Sequence, residues 1–156
     1  MVLKMDQPDT AWRFYLDLAN SVEAAPSIGP RIAESLRKIG IVTVADLLKA
    51  EAATLVERLG QRRLTADRIR QWQQQATLAC RIPQLRGHDA QLLVGCGVTD
   101  ADQLAKQDAE ALWQKVAAFS ATNEGRRLLR GAKQPDRAEV SEWIRWANHA
   151  RTLKAA

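Results

Sequence analysis

The residues best suited to chemistry lie in the segment APSIGPRIAESLRKIGI, positions 25–41. A short turn with Ser27 and Gly29 precedes an apolar helical pattern there, and Pro30 favours a first helical turn because its missing N–H is not needed. The free N–H groups and the dipole of a helix N-terminus attract phosphate. Arg31 adds a positive charge beside them. Ser27, Gly29 and Arg31 are therefore candidate phosphate contacts, and the alternative is that this turn only packs helices or contacts a protein.

Further basic side chains are concentrated in two zones of the sequence. Residues 61–95 and residues 121–156 each have a net charge of +4, whereas residues 1–60 have −1 and residues 96–120 have −2. Clustered arginines bind nucleic-acid phosphates by releasing counterions. Five arginines of these zones join the candidate binding residues: Arg62, Arg63, Arg86, Arg126 and Arg127. The zones also contain Arg68, Arg70 and Arg130. The alternative is that these arginines form ordinary solvated surfaces.

The other reactive residues do not form a recognisable catalytic or metal site. His88 and His149 have no Cys or acid at metal-ligand spacing, and Cys80 and Cys96 are too far apart for a CxxC pair. The sequence contains no G-x-S-x-G, P-loop or H-E-x-x-H motif. The chain is therefore predicted to be non-enzymatic, with no catalytic residues, metal, cofactor or small-molecule substrate.

Length and composition indicate one globular domain. The 156 residues are 46% hydrophobic, which is enough for a core without disulfides or metal. No apolar run approaches the roughly 18 residues of a membrane span. The start, MVLKMDQPDTAWRFY, lacks the apolar stretch of a signal peptide. We expect a cytoplasmic protein with reduced cysteines and no membrane partner.

The elements that position the candidate residues occur twice in the sequence. IGPRIAESLRKIGIVTVADLLKAEAATL, from Ile28, aligns without gaps on LRGHDAQLLVGCGVTDADQLAKQDAEAL, from Leu85, 57 positions later. A Trp-containing segment follows in both copies, at Trp72 and Trp143, which are 71 positions apart. The second copy therefore has 14 additional residues near positions 119–136, where the sequence is basic and rich in turn residues.

Both copies have the composition of α-helices. Ala, Leu, Gln, Glu and Arg dominate, and no segment alternates with the period of a strand. Gly40 and Gly97 follow apolar helical stretches, where a left-handed C-cap is favoured. N-caps are predicted at Thr43, Thr65, Thr99 and Asp136. The fold is predicted to be all-α with about eight to ten short helices, one of them in the insertion from Thr122.

The first copy resembles the helix-hairpin-helix motif, in which a turn of hydrophobic–Gly–hydrophobic–Gly type joins two short helices. Gly29 matches the second glycine of that turn and Ile28 the residue between the glycines, whereas Ser27 replaces the first glycine. In the second copy, Gln84 and Arg86 occupy both glycine positions. The whole pattern is similar to an uncharacterised bacterial family of tandem helix-hairpin-helix domains, which is a family of unknown function.

The resemblance implies two tandem helix-hairpin-helix units, residues 21–81 and 82–156, that form one pseudo-symmetric compact helical domain. Residues 1–20 are expected to pack on its core, and residues 119–136 form the basic insertion. The predicted core contains Ile28, Leu36, Ile39, Leu47, Leu55, Leu85, Leu93, Cys96, Leu104, Leu112, Trp143 and Ile144.

The resemblance implies binding rather than catalysis. Helix-hairpin-helix proteins hold DNA backbones without reading sequence, because phosphate contacts position a protein but do not specify a sequence. Double-stranded DNA is therefore one expected partner. The alternative is a protein-protein interaction or scaffold module, alone or as part of a larger protein. The second turn lacks both glycines, and the sequence leaves these two functions open.

Overall fold

The computed structural model describes residues 12–153 of the chain. Within this range the chain forms a 3-10 helix at Val22–Ala24 and nine α-helices. These are α1 (Pro30–Lys38), α2 (Val44–Lys49), α3 (Ala52–Leu59), α4 (Ala66–Arg81), α5 (Gly87–Gly95), α6 (Ala101–Ala105), α7 (Ala109–Ser120), α8 (Asn123–Leu129) and α9 (Arg137–Ala147). The predicted all-α fold is confirmed. Of the N-terminal segment expected to pack on the core, residues 1–11 lie outside the described range.

Side chains at the helix starts satisfy N–H groups that the helices themselves leave free. Thr43 forms a capping box with Asp46: its Oγ1 accepts from Asp46 N–H at 3.1 Å, and its own N–H donates to Asp46 Oδ2 at 3.0 Å. Hydrogen bonds from the N–H groups of Thr43 and Val42 hold the pKa of the Asp46 carboxyl below its usual value. Thr65 and Asp136 cap α4 and α9 as predicted.

The cap predicted at Thr99 is wrong by one residue. Asp100 caps α6, because its Oδ1 accepts from the N–H of Gln103 at 2.8 Å. Thr99 instead donates its N–H to Gln103 Oε1 at 3.0 Å. Aspartate is at least as good an N-cap as threonine. The residue types alone therefore did not decide which of the two neighbouring positions caps the helix.

Buried apolar residues form two clusters, one in each half of the chain, that meet in α4. Nine of the twelve predicted core residues are buried, and Leu36 and Leu93 have 0% exposure. The other three, Ile39, Cys96 and Ile144, are half-buried and pack against the edges of these clusters.

Several backbone features recur 57 positions apart. Ser27 and Gln84, which precede α1 and α5, have left-handed φ angles of 70° and 69°. Gly40 and Gly97, which follow the same helices, have φ angles of 92° and 94°, as predicted for C-cap glycines. The loops also contain equivalent hydrogen bonds, from Ile41 N–H to Leu36 O at 3.0 Å and from Val98 N–H to Leu93 O at 2.9 Å. Helices α1 and α5 therefore lie between equivalent turns.

The insertion contains the predicted short helix, α8. Thr122 caps it, since its Oγ1 accepts from the N–H of Gly125 at 3.0 Å. The helix packs on α5 and α7. A Cβ at Gly125 would lie 2.1 Å from the carbonyl oxygen of Phe119. The close approach of α8 to the end of α7 therefore requires glycine at this position.

The residues from Trp12 to Leu153 contain neither a membrane-spanning helix nor a cluster of metal-ligating side chains. None of the helices there has the length and apolar composition of a bilayer-spanning segment. Nor do three or more His, Cys, Asp and Glu side chains gather in that range as a metal ion would require.

Candidate nucleic-acid interface

Hydrogen bonds from two other helices hold the first hairpin turn. Ser27, at the first glycine position of the motif, has the left-handed φ angle that glycine usually provides. Its hydroxyl donates to Gln75 Oε1 on α4 at 2.7 Å. The same hydroxyl accepts from Gln91 Nε2 on α5 at 2.9 Å. The turn before α1 is thereby attached to both halves of the molecule.

Gly29 is the N-cap of α1 and lies at the surface. Its φ of −88° and ψ of −176° are extended, so the backbone does not require glycine here. Among the described residues, no atom beyond Gly29 and its two chain neighbours lies within 4 Å of the position that a Cβ would occupy. Within the described residues no side chain caps α1, and Pro30 has no N–H. The N–H groups of Arg31 and Ile32 therefore lack a capping partner in this range.

A cleft of about 690 Å³ lies between α1 and the loop that joins α3 to α4. We call it the arginine cleft, and it is lined by Ile32, Gln61, Arg62, Arg63, Leu64, Arg68 and Trp72. Arg62 and Arg63 are the central residues of a tight turn, which is closed by a hydrogen bond from Leu64 N–H to Gln61 O at 3.2 Å. Both arginine side chains are exposed. Three arginines therefore line one concave surface.

Arg31 lies on a neighbouring concave surface of about 520 Å³. This surface shares Ile32 and Gln61 with the arginine cleft, and Glu34 is the one carboxylate among its lining residues. The structure therefore brings Arg31 onto the same face as Arg62 and Arg63, beside the start of α1.

A second basic surface lies near the turn before α1. It is a concavity of about 340 Å³ lined by His88, Gln91, Arg127, Leu128 and Arg130. Gln91 is also the hydrogen-bond donor to Ser27, so this surface lies next to the first turn. Arg126 is exposed on α8 but does not line either basic surface.

Arg86 lies among acidic groups, apart from the arginine cleft. It precedes α5, and its guanidinium carbon lies 5.3 Å from the centroid of the Tyr15 ring. The cleft of about 540 Å³ around it contains the carboxylates of Asp89, Glu139 and Glu142 and shares no lining residue with the arginine cleft. Burial raises the pKa of the Asp89 carboxyl. The turn before α5 thus differs from the turn before α1 in its electrostatic surroundings.

The candidate arginines take part in no ion pair among residues 12–153. The arginines that form ion pairs there are Arg37, Arg70, Arg81, Arg137, Arg145 and Arg151. Arg70 pairs with Asp67 at 2.9 Å and does not line the arginine cleft. Within this range, Arg31, Arg62 and Arg63 therefore keep their charges free for a ligand.

Comparison with known proteins places the chain in a family. The sequence model of the domain of unknown function DUF4332 matches residues 26–150. The chain belongs to the DUF4332 family. The match covers both hairpin turns, the arginine cleft and the insertion of this DUF4332 domain. Neither the curated proteins nor the solved structures contain a significant match to it.

Two residues of the candidate site in this DUF4332 domain were not predicted from the sequence. Gln75 is 8% exposed, and Gln91 is half-buried. Glutamine is common on helices, and these two lie 48 and 64 positions from Ser27, so no local pattern linked them to the hairpin. One feature of the sequence could have indicated these two residues. A polar residue at the first glycine position needs hydrogen-bond partners that stabilise its left-handed backbone conformation.

Proposed function

We propose that this DUF4332 domain is a non-enzymatic module that binds the backbone of nucleic acid without reading its sequence. The observation that carries the proposal is the convergence of Arg31, Arg62, Arg63 and Arg68 beside the uncapped N-terminus of α1. A helix N-terminus offers N–H donors and a positive dipole end to phosphate. Arginines add affinity through counterion release.

We further propose that the fold consists of two tandem helix-hairpin-helix units. The paired left-handed residues Ser27 and Gln84, and the paired glycines Gly40 and Gly97, support this proposal because each pair is 57 positions apart. Only the first unit is proposed to hold phosphate. The second turn carries Arg86 among carboxylates, which repel a phosphate.

The alternative of a protein-docking module has less support from the described surface. Among residues 12–153, the exposed large hydrophobic side chains are Tyr15 and Val42. Tyr15 lies under the guanidinium groups of Arg13 and Arg86, and Val42 lies in the loop before α2. These two side chains do not provide the contiguous apolar area that a protein-interaction surface commonly exposes.

Fluorescence anisotropy with labelled double-stranded and single-stranded DNA tests the proposal. The titrations compare the intact chain with Arg62→Gln/Arg63→Gln and with Gly29→Val, at about 50 mM and about 200 mM salt, a range over which phosphate contacts weaken strongly. We expect salt-dependent binding. In the double variant the slope of log K against log salt should fall by roughly 2, because each phosphate contact accounts for about 0.9. Gly29→Val should weaken binding, since its side chain obstructs the approach to α1.

Lys106→Gln/Lys115→Gln is the matched control. It removes the same charge from two exposed lysines, at the end of α6 and on α7, that line neither basic surface. An equal loss of affinity in the two double variants would show that binding depends only on the net charge of the protein. That result would contradict a defined interface. Absence of binding to both DNAs at the lower salt would contradict the proposed function.

A further inference from the structure

Apolar side chains form the base, or floor, of the arginine cleft. Binding of phosphate alone does not involve these side chains. Ile32 and Leu64 are half-buried, and Trp72 is 5% exposed. Phosphates are strongly hydrated anions and gain nothing from contact with these side chains. The lining therefore matches a ligand that combines a flat apolar part with adjacent negative charge.

The turn that carries Arg62 and Arg63 is anchored at both ends. Before it, Gly60 ends α3 with a left-handed φ of 61°. After it, Thr65 caps α4 by accepting a hydrogen bond from the N–H of Arg68 at 3.1 Å. The cleft is therefore formed before any ligand binds, and ordering it adds little entropic cost to binding.

We propose that the arginine cleft binds one unpaired nucleobase of a single-stranded nucleic acid, while Arg62, Arg63 and Arg68 contact the phosphates next to that base. A base has apolar faces and is flanked by phosphates. Arginine guanidinium groups stack on bases and also pair with phosphates. The cleft is shallow and open to solvent, so a planar base can approach its apolar side chains from outside.

The shape of this site predicts a preference for single-stranded over double-stranded nucleic acid. In a duplex the bases are stacked and paired, so only the phosphates reach a protein cleft unless a base is flipped out at an energetic cost. In a single strand the bases are free to stack on protein groups. This inference rests on the proposed function and adds to it a preference for single strands that contain bases.

The test measures the affinity of the intact chain for three DNAs of equal length: a single strand with bases, an abasic single strand with the same phosphates, and a duplex. One base stacked on an aromatic side chain contributes a factor of roughly 5 to 150. Trp72 is largely buried and the other apolar lining residues are aliphatic, so we expect the strand with bases to bind about fivefold more tightly than the abasic strand. The duplex should bind through phosphates alone, because its paired bases do not enter the cleft.

Leu64→Ala then locates the effect in the arginine cleft. It should bring the affinity for the strand with bases close to the affinity that the same variant has for the abasic strand. Leu59→Ala is the matched control, because Leu59 is another half-buried leucine of the same core cluster and does not line the cleft. Ile32→Ala gives a second variant should Leu64→Ala melt at too low a temperature.

The outcomes separate this inference from the proposed function. Equal affinity for the abasic strand and the strand with bases would overturn base binding and leave backbone binding intact. Absence of binding to all three DNAs would overturn both. A base preference that survives in both cleft variants would also overturn the assignment to this cleft. Tighter binding of an acidic tryptophan-containing peptide than of any DNA would identify a protein ligand instead.

Discussion

Ser27 combines a backbone conformation that is unfavourable for serine with two side-chain hydrogen bonds that offset it. A left-handed φ costs a residue with a Cβ about 1 to 2 kcal/mol. The bonds to Gln75 and Gln91 each contribute about 1 kcal/mol. The serine therefore has a backbone conformation usual for glycine at little net cost, and it connects the turn before α1 to α4 and α5.

Substitutions at Ser27 separate these two effects. Ser27→Ala keeps the unfavourable φ and loses both bonds, so we expect the free energy of unfolding to fall by about 2 kcal/mol. Ser27→Gly loses the same bonds but relieves the backbone, so it should be about 1 kcal/mol more stable than the alanine variant. Urea unfolding of the three proteins measures both differences. Equal stabilities of the alanine and glycine variants would contradict a strained backbone at this residue.

Helix α8 depends on a backbone contact with the end of α7. A Cβ at Gly125 would lie 2.1 Å from the carbonyl oxygen of Phe119 and 2.7 Å from the Cα of Ser120. These are backbone atoms, which cannot rotate away as a side chain does. The helix also carries Arg127, so this contact positions one side of the candidate interface.

Gly125→Ala is expected to displace α8. We expect a loss of about 3 kcal/mol in the free energy of unfolding, because overpacking against fixed atoms costs roughly 1–3 kcal/mol or more. Gly29→Ala is the matched control, since open space surrounds its Cβ position, and its cost should be about 0.5 kcal/mol. Urea titration followed by circular dichroism compares the two variants. Similar losses at both glycines would refute the close packing of α7 and α8.

Features encoded by neighbouring residues were predictable, and features that depend on distant partners were not. Gly40 was predicted as a left-handed C-cap because glycine after an apolar helical stretch has that role locally. Thr65 was predicted as a cap for the same kind of reason. Asp100 rather than Thr99 caps α6. Both residue types are good N-caps, and the backbone geometry set by tertiary packing decides between them. Gln91 contacts Ser27 across 64 positions, which no local pattern encodes.

The candidate site shows the same division. The arginines were predictable from composition, since basic residues without nearby acids form a recognisable zone. Their grouping was not predictable, because only the fold places Arg31 beside Arg62 and Arg63 and leaves Arg86 among carboxylates. The apolar floor of the arginine cleft was missed because Trp72 has the helical spacing of an ordinary core residue.

At the scale of the molecule, Arg151 connects segments that are far apart in the chain. Its Nε donates to Cys80 O at 2.8 Å, and its Nη2 donates to Leu16 O at 3.1 Å. The guanidinium carbon lies 3.8 Å from the centroid of the Phe14 ring. Its backbone N–H also donates to Arg81 O at 2.9 Å. The N-terminal segment, the end of α4 and the residues after α9 are therefore held by one side chain.

Removing this side chain should loosen all three segments together. Arg151→Ala leaves the carbonyl groups of Leu16 and Cys80 without that donor, and we expect the free energy of unfolding to fall by about 2 to 3 kcal/mol. Arg151→Lys should recover only part of this loss, because an ammonium group lacks the planar fork that reaches both carbonyls. Urea unfolding measures the stability. Hydrogen exchange should become faster in residues 12–20.

Arg70→Ala is the control for the loss of an arginine. Arg70 is exposed and pairs with Asp67 within α4, and surface pairs of this kind contribute about 0.3–0.5 kcal/mol. Its loss should leave hydrogen exchange in residues 12–20 unchanged. If Arg151→Ala and Arg70→Ala destabilised the protein equally, Arg151 would be an ordinary surface residue. The N-terminal segment would then be held by its remaining contacts, such as the buried side chain of Leu16 and the hydrogen bond from Arg13 N–H to Gln84 Oε1 at 2.8 Å.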